Sequence, residues 1–498
     1  MDYNVDLFNR DSLKKNLKRK STQSAVNKIS ANGLSFILSI LSTMVLARVL
    51  SPKDFGLLAM VTAVTEFARS FRELGLGTLT VQREKITQEE VSTLFWINLA
   101  GAIVITSLIV LIAPGLVWFY GESRIFSICI ALSLVFLING LAVQHRALLE
   151  RQMKFGSLGL INVISNLAGF SFAIALALHG YGVWALVASE LLSAGFYTIG
   201  TWLCYRWVPG PPNLRLDLKS MLRFGADVSA FDVFQYLSRN VDRLLIGRYW
   251  GAYSLGLYAK IYQIAMMPIE QIRIVFWDIG FSPLSALQSD ADRFRTFYGK
   301  LVSIMALFYM PIVVLLIIKP ESVILLLLGE KWLNGRLILR IIAIGGFFRP
   351  IIATFQLVMI TCDKTRRYLK WGIISGIMMV ISFGIGIRWG AIGVAIAYAS
   401  SSYVILIWSL RYCLKDTPIS SSMILRAIKV PLIASWGAGL LLALIVPSYE
   451  SSSSLIFYLT RLLVVLFSCY LCFLLWHPES RAQVVELWSC RKELFVRD

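Results

Sequence analysis

The chain has 498 residues, of which 57% are hydrophobic and 15% charged, and its mean hydropathy is +0.70. A typical soluble domain has about 45–50% apolar and about 25% charged residues, so this composition excludes an ordinary cytosolic enzyme. The net charge of +19 would indicate a nucleic-acid partner in a soluble protein. Here the basic residues are spread over many short loops without a nucleic-acid-binding motif, and we expect no nucleic-acid partner.

Apolar runs long enough to cross a bilayer recur along almost the whole chain. They predict an all-α polytopic membrane protein with about 14 transmembrane helices of about 20 residues each. The predicted spans are 30–50, 55–80, 91–113, 125–145, 156–178, 181–205, 222–249, 253–285, 297–318, 337–361, 367–387, 390–413, 424–446 and 455–476. Because a polar and basic stretch of about 30 residues precedes the first run, we expect no cleavable signal peptide.

The distribution of lysine and arginine predicts the topology. With the N-terminus in the cytoplasm, 31 of the 48 Lys and Arg residues lie on the cytoplasmic side, 8 on the other side and 9 within spans. Cytoplasmic loops are enriched in these residues, so we expect a multi-pass protein with both termini in the cytoplasm. The predicted segments are a basic N-terminal segment 1–29, an N-lobe 30–206, an inter-lobe linker 207–221, a C-lobe 222–413, two further helices in 424–477 and a cytoplasmic tail 478–498.

An internal repeat relates the two predicted lobes. When the sequence is shifted by 200 residues, 46–59 aligns with 246–259 without a gap, and 180–187 aligns with 390–397 with one insertion. The matching positions include Arg48 and Arg248, Gly56 and Gly256, Leu57 and Leu257, and Ala59 and Ala259. Because six spans per copy is an even number, the copies would be two parallel six-helix lobes related by a pseudo-twofold axis. The alternative is a chance similarity between glycine-rich apolar helices.

Ionisable residues within the predicted spans define the candidate site. Such charges are costly in a bilayer and usually face a bundle interior or a water-filled cavity. The candidate substrate-binding residues of a central cavity are Glu66, Arg69, Arg72, Asp232, Arg239, Asp242, Arg243, Lys260, Arg273 and Arg349. Further acidic residues in these spans are Glu73, Glu270 and Asp278. Seven basic and six acidic residues keep an alternative open, in which the charges only pair with one another and fix the helix register.

The sequence around Arg349 predicts a broken helix. Gly345, Gly346 and Pro350 flank this arginine, and a proline removes a helical hydrogen bond and clashes with the preceding turn. Broken helices at mid-depth are typical of transporters. We therefore expect Arg349 to face the cavity and contact an anionic substrate. The alternative is that it donates to carbonyl groups that Pro350 leaves unbonded.

Motifs for catalysis or for a cofactor are missing from the sequence. It contains no Walker A run, no HExxH and no GxSxG, and its histidines, His145, His179 and His477, are far apart, so we expect no metal site and no cofactor. Cys469 and Cys472 form a CxxC within an apolar span, which indicates two small apolar residues rather than a redox pair. Short outer loops disfavour an enzyme such as a membrane polymerase.

The segment RNVDRLLIGRYWGAYSLGLYAK at 239–260 resembles the signature of the polysaccharide transporter family, the Wzx-type flippases of the MOP superfamily. Segments 47–64 and 71–82 resemble its counterpart in the first repeat, and the resemblance extends to about residue 477. It implies a MOP/MATE-like fold and a protein that is not an enzyme. The implied function is to flip undecaprenyl-diphosphate-linked oligosaccharide units across the bacterial cytoplasmic (inner) membrane by alternating access. Such units serve exopolysaccharide, capsule or lipopolysaccharide synthesis. The implied partners also include membrane lipids and polysaccharide polymerase or export machinery.

Two other functions are compatible with a polytopic protein of this kind. A drug or organic-cation antiporter of the same superfamily would rely on isolated acidic residues, whereas here arginines accompany them. A scaffold that transports nothing is disfavoured because it would gain nothing from burying charges in the membrane.

Overall fold

The computed structural model describes residues 17–72, 76–83, 86–213, 218–446 and 455–476. Every regular element within these ranges is a helix, and sixteen of them are α-helices. The first eight are α1 (Leu17–Val49), α2 (Pro52–Arg72), α3 (Leu76–Gln82), α4 (Gln88–Tyr120), α5 (Arg124–Arg151), α6 (Phe155–Leu178), α7 (Val183–Cys204) and α8 (Leu218–Ala286). The others are α9 (Ala291–Ile318), α10 (Pro320–Leu327), α11 (Arg336–Gly346), α12 (Arg349–Thr361), α13 (Thr365–Gly386), α14 (Gly390–Tyr412), α15 (Ser421–Ile445) and α16 (Leu455–Trp476).

The chain divides into two compact units within α8, between Leu257 and Tyr258. In the first unit α6 packs along α7 and α1, and α4 packs along α5. Helix α4 begins where it does because Thr87 and Glu90 form a capping box: the Thr87 hydroxyl accepts from the Glu90 amide at 3.2 Å, and the Glu90 carboxylate accepts from the Thr87 amide at 2.9 Å.

The segment after α7 folds back onto the start of α4. Trp207 is 2% exposed, and its indole Nε1 donates to Gln88 Oε1 at 2.5 Å. His145 Nε2 donates to the Trp207 carbonyl at 3.0 Å, and the Gly210 amide donates to Ser92 Oγ at 2.9 Å. The beginning of the predicted inter-lobe linker is therefore fixed to the first unit.

In the second unit α9 packs along α15 and α11, α13 along α14, and α15 along α16. Buried hydroxyl groups join two of its helices, since Tyr298 Oη and Thr354 Oγ1 are 2.7 Å apart. The loop after α14 is held by Arg367, whose Nη2 donates to Asp416 Oδ2 at 3.0 Å. This hydrogen bond lowers the pKa of the Asp416 carboxyl below its usual value.

Within the described residues, eight helical stretches are long and apolar enough to cross a membrane. Two of them, Glu330–Thr361 and Thr365–Tyr412, each contain more than one helix. The predicted seventh and eighth spans both lie in α8, which consists of two helices that meet at a kink at Gly251, where φ is 74°. A glycine accepts this positive φ without steric cost, so one residue makes the turn. The count of fourteen spans and the predicted domain boundaries remain predictions.

Candidate functional site

The predicted helix break is confirmed. Helix α11 ends at Gly346 and α12 begins at Arg349, with Phe347 and Phe348 between them. Both glycines are at close contacts: a Cβ on Gly345 would lie 2.6 Å from Ala399 Cα, and one on Gly346 would lie 2.6 Å from Met266 Cε. The small residues before the break thus allow α11 to approach α14 and α8 closely.

Arg349 is held at this break by side chains from two other helices. Its Nη1 donates to Tyr398 Oη at 3.1 Å, and its guanidinium carbon is 6.0 Å from the centre of the Tyr398 ring. Its Nε lies 3.8 Å from Glu270 Oε1. The alternative prediction, that Arg349 bonds carbonyl groups freed by Pro350, does not match these contacts.

Glu270 lies between two arginines. Arg273 Nε donates to its other carboxylate oxygen, Oε2, at 2.6 Å. The side chains of Arg349, Glu270 and Arg273 are 29%, 35% and 36% exposed, respectively. These three residues, which we call the Glu270 cluster, are partly open. One carboxylate of the cluster faces two guanidinium groups, and a further carboxylate, Asp278, lines the same small cavity as Arg273.

Tyrosine side chains form the wall behind the cluster. The rings of Tyr262 and Tyr398 are 5.7 Å apart and meet edge to face, and Tyr398 is fully buried. Arg273 also lines a small cavity of about 120 Å³ together with Trp277, Asp278 and Gln356. The cluster thus combines a cationic group with aromatic surfaces and a polar opening.

Three other candidate residues, Asp242, Arg243 and Lys260, lie in α8. Lys260 Nζ donates to Gln263 Oε1 at 3.1 Å. Asp242 is 3% exposed, and its Oδ1 accepts a hydrogen bond from the Arg243 amide at 2.8 Å. Arg243 is half-buried. The side chain of Glu66, in α2, is also half-buried.

Four candidates lie outside the described side chains, namely Arg69, Arg72, Asp232 and Arg239, and so does Glu73. Their grouping with the others therefore stays a prediction. Of the ten candidates, the structure brings Arg273 and Arg349 together, and Glu270 joins them. The substrate-binding role of the whole set also stays a prediction.

The sequence analysis missed a second polar cavity, in the first unit. It has a volume of about 480 Å³ and is bordered by α1, α5, α6 and α7. Asn139, Asn162, Asn166 and Glu190 line it. Two features of the sequence are consistent with this cavity: Glu190 is a lone glutamate within an apolar run, and Asn162 and Asn166 are four residues apart and so share one helix face.

No group of three or more His, Cys, Asp or Glu side chains could hold a metal ion within the part of the chain that the structure describes. The six cysteines in that part are free thiols, Cys469 and Cys472 included.

Comparison with known proteins identifies the family. The family model described as polysaccharide biosynthesis protein matches residues 45–335, which is more than half of the chain. The chain belongs to this polysaccharide biosynthesis protein family. The matched region contains the Glu270 cluster residues Glu270 and Arg273 and ends before Arg349. The predicted resemblance to the polysaccharide transporter family is thereby confirmed.

Curated relatives of this family member extend over most of its length. The teichuronic acid biosynthesis protein TuaB of Bacillus subtilis (strain 168) is 26% identical over 76% of this chain and 79% of its own length. The lipopolysaccharide biosynthesis protein WzxC of Escherichia coli (strain K12) is 25% identical over 77% of this chain and 78% of its own length.

A solved structure shows which fold the family member has. The lipid II flippase MurJ, in an inward closed conformation, matches with a TM-score of 0.74 and 15% identity, over 90% of this chain and 98% of the other. At this identity the match establishes the fold alone. The chain is therefore a multi-pass membrane protein that is helical in its regular elements throughout the described residues, with a MurJ-like fold.

Proposed function

We propose that the chain is a flippase that moves undecaprenyl-diphosphate-linked oligosaccharide units across the bacterial cytoplasmic membrane. The observation that carries this proposal is the family match over residues 45–335 in a chain with many membrane-spanning helices. The units would serve synthesis of an exopolysaccharide, capsule or lipopolysaccharide. In support, TuaB is named as a teichuronic acid biosynthesis protein and WzxC as a lipopolysaccharide biosynthesis protein.

The Glu270 cluster supports an anionic substrate group. Arg273 occupies one oxygen of Glu270 at 2.6 Å, while Arg349 is 3.8 Å from the other. Arg349 donates to Tyr398 through Nη1, and the remaining N–H groups of its planar guanidinium can bind a diphosphate in a bidentate manner. A charge within a transmembrane helix has few competing water molecules, so attraction to a diphosphate is stronger there than in bulk water.

The transport cycle and topology form part of the same proposal. Fourteen spans, two parallel six-helix lobes with two further helices and cytoplasmic termini are supported by the charge distribution and the internal repeat. Transport would proceed by alternating access, in which the pathway opens first to the cytoplasm and then to the outside. Polysaccharide polymerase or export machinery would receive the flipped unit.

Depletion of the chain in its host tests this function. Lipid-linked repeat units should accumulate in the cytoplasmic leaflet, and polymer at the cell surface should fall. A matched strain that also lacks the first glycosyltransferase should accumulate no such units. Unchanged export, with no accumulation after complete depletion, would exclude the flippase function.

A drug or organic-cation antiporter is the second candidate function. It is disfavoured because Glu270, a described carboxylate within a span, is flanked by two guanidinium groups, which would repel a cation. The drug sensitivity of the depleted strain distinguishes the two functions. Loss of a flippase should reduce the polymer, whereas loss of an antiporter should specifically reduce drug efflux.

A further inference from the structure

The cavity of about 480 Å³ in the first unit, which we call the asparagine cavity, is polar although it lies among apolar helices. The polar side chains that line it are Asn139, Arg146, Asn162, Asn166, Glu190 and Ser193. They come from α5, α6 and α7, all of which are long and apolar enough to cross a membrane. The Glu270 cluster contains none of these residues.

Several of these side chains lie deep within their helices. Asn166 is eleven residues after the start of α6 and Glu190 is seven residues after the start of α7. At about 1.5 Å per residue, these positions are about 16 Å and about 10 Å from the helix starts. Polar and ionisable residues at such depth are expensive and generally serve a function.

The asparagine amides retain unused hydrogen-bonding groups. Asn162 Nδ2 donates to Ser35 Oγ at 3.2 Å, Asn166 Nδ2 donates to Asn162 Oδ1 at 3.5 Å, and Asn139 Nδ2 donates to the Val135 carbonyl at 2.9 Å. Among the described residues, nothing donates to the Oδ1 atoms of Asn139 and Asn166. An amide has two N–H donors and one acceptor oxygen, so the cavity offers both donors and acceptors to a ligand.

The size of the asparagine cavity argues against a bound metal ion. A water molecule occupies about 30 Å³ of liquid, and pockets for small organic ligands measure about 300–1,000 Å³. Glu190 and Glu150 are the carboxylates that line it, and Glu150 is already bonded to Arg146 at 2.9 Å. The lining has two carboxylates, Glu150 and Glu190, and one guanidinium, Arg146, so it suits an uncharged polar group better than a diphosphate.

Sugar hydroxyl groups both donate and accept hydrogen bonds, as the amide groups do. We propose that the asparagine cavity binds the sugar part of the lipid-linked oligosaccharide through Asn139, Asn162 and Asn166. This inference rests on the proposed function and deepens it, because it names the part of the substrate that the first unit binds. The first unit then determines which sugars the protein accepts.

Binding measurements on the full chain in lipid nanodiscs test the inference. The two probes are undecaprenyl diphosphate and the lipid-linked repeat unit extracted from the depleted host, each measured by native mass spectrometry. The wild type should bind the repeat unit about tenfold more tightly than the bare lipid, since this ratio corresponds to about 1.4 kcal/mol, or one to two net hydrogen bonds. The double variant Asn162→Leu/Asn166→Leu should lower the ratio to about twofold or less and keep its affinity for undecaprenyl diphosphate.

Ser171→Leu is the matched control. Ser171 lies on the same helix, is exposed and does not line the cavity, so its variant should keep the wild-type ratio. Leucine favours membrane insertion, and equal membrane levels of all variants check this point. Asn166→Gln keeps the amide, so it should retain a stronger preference for the repeat unit over the bare lipid than Asn166→Leu does.

Three results would overturn the inference: a wild-type ratio near one, an unchanged ratio in the double variant, or an equal loss of affinity for both probes. If depletion yields no repeat units at all, the proposed function fails, and the inference fails with it.

Discussion

Gly56 and Gly256 make reciprocal contacts in the first unit. A Cβ on Gly56 would lie 1.7 Å from the carbonyl oxygen of Ala252, and a Cβ on Gly256 would lie 1.8 Å from the carbonyl oxygen of Pro52. Each residue is separated from its counterpart by 200 positions, the shift that aligns the internal repeat. The start of α2 and the segment after Gly251 therefore pack as a symmetric pair, which supports a true repeat over chance similarity.

Alanine at either glycine should destabilise the protein. The nearest atoms belong to backbone rather than to flexible side chains, so the two segments must move apart. Overpacking of this kind costs about 1–3 kcal/mol or more, and we expect a lower apparent Tm in detergent for Gly56→Ala and for Gly256→Ala. The double variant Gly56→Ala/Gly256→Ala should lose less stability than the sum of the losses in the two single variants, because one alanine already opens the shared contact.

Gly115→Ala provides the control for this experiment. Gly115 lies in α4, and no atom would be within 4 Å of its Cβ. Its variant should be neutral or slightly stabilising, by about 0.5–1 kcal/mol. Equal effects at Gly115 and Gly56, or additive effects in the double variant, would contradict the reciprocal contact.

Local features of the fold could be predicted from the sequence, whereas contacts between distant segments could not. Glycine and proline specify the turn at Gly251 and the break before Arg349, because their effects on the backbone are local. The partner of Arg349, Tyr398, is 49 residues away along the chain, and no periodic pattern indicates which helices become neighbours. Glu190 stands alone in an apolar run, away from the clusters of charged residues that indicate a polar interior, so its place in a cavity could not be predicted from the sequence.

Reporter fusions should confirm the predicted topology. The charge bias places residues 320–335 outside and 363–370 in the cytoplasm. Alkaline phosphatase should be active when fused within the first segment and inactive within the second, and green fluorescent protein should show the opposite pattern. The reverse result at both sites would mean that the topology is inverted. The reverse result at only one site would mean that the number of spans between the two segments differs from the prediction.

Trp207→Ala should strongly destabilise the first unit. The indole is 2% exposed, packs against Phe95 with ring centres 6.0 Å apart, and donates to Gln88. Replacement of a buried tryptophan by alanine costs about 3–5 kcal/mol, so the apparent Tm should fall by many degrees. Trp118→Ala, at a side chain that is 79% exposed, should have little effect. Similar melting temperatures for both variants would contradict this packing.

Arg349→Ala should reduce export about tenfold or more through the loss of a charge-assisted contact to the diphosphate, while the protein level in the membrane stays normal. The fold should tolerate the change because Glu270 keeps its 2.6 Å contact with Arg273. Arg349→Lys should be intermediate, since lysine keeps the charge but lacks the planar set of donors. Arg336→Ala, which removes an exposed ion pair with Glu321, is the control. Full export by Arg349→Ala at a normal protein level would end the substrate-contact hypothesis.

Variants of Asp242 distinguish a substrate-binding role of the charged residues in α8 from a structural role. Its side chain is 3% exposed and its Oδ1 accepts from the Arg243 amide at 2.8 Å, while Arg239 lies three residues earlier, on the same helix face. Asp242→Asn keeps the acceptor and removes only the charge, whereas Asp242→Ala removes both.

If the two arginines bind an anionic group, the extra positive charge in Asp242→Asn should slow release of the substrate. We therefore expect this variant to reach the membrane at nearly the normal level but to export more slowly, and Asp242→Ala to be less abundant because a buried donor loses its partner. Quantitative blots of membrane fractions and polymer assays measure the two properties separately. If Asp242→Asn and Arg239→Ala are both lost from the membrane, these charges serve the fold as a static pair, and the substrate role of this face has no support.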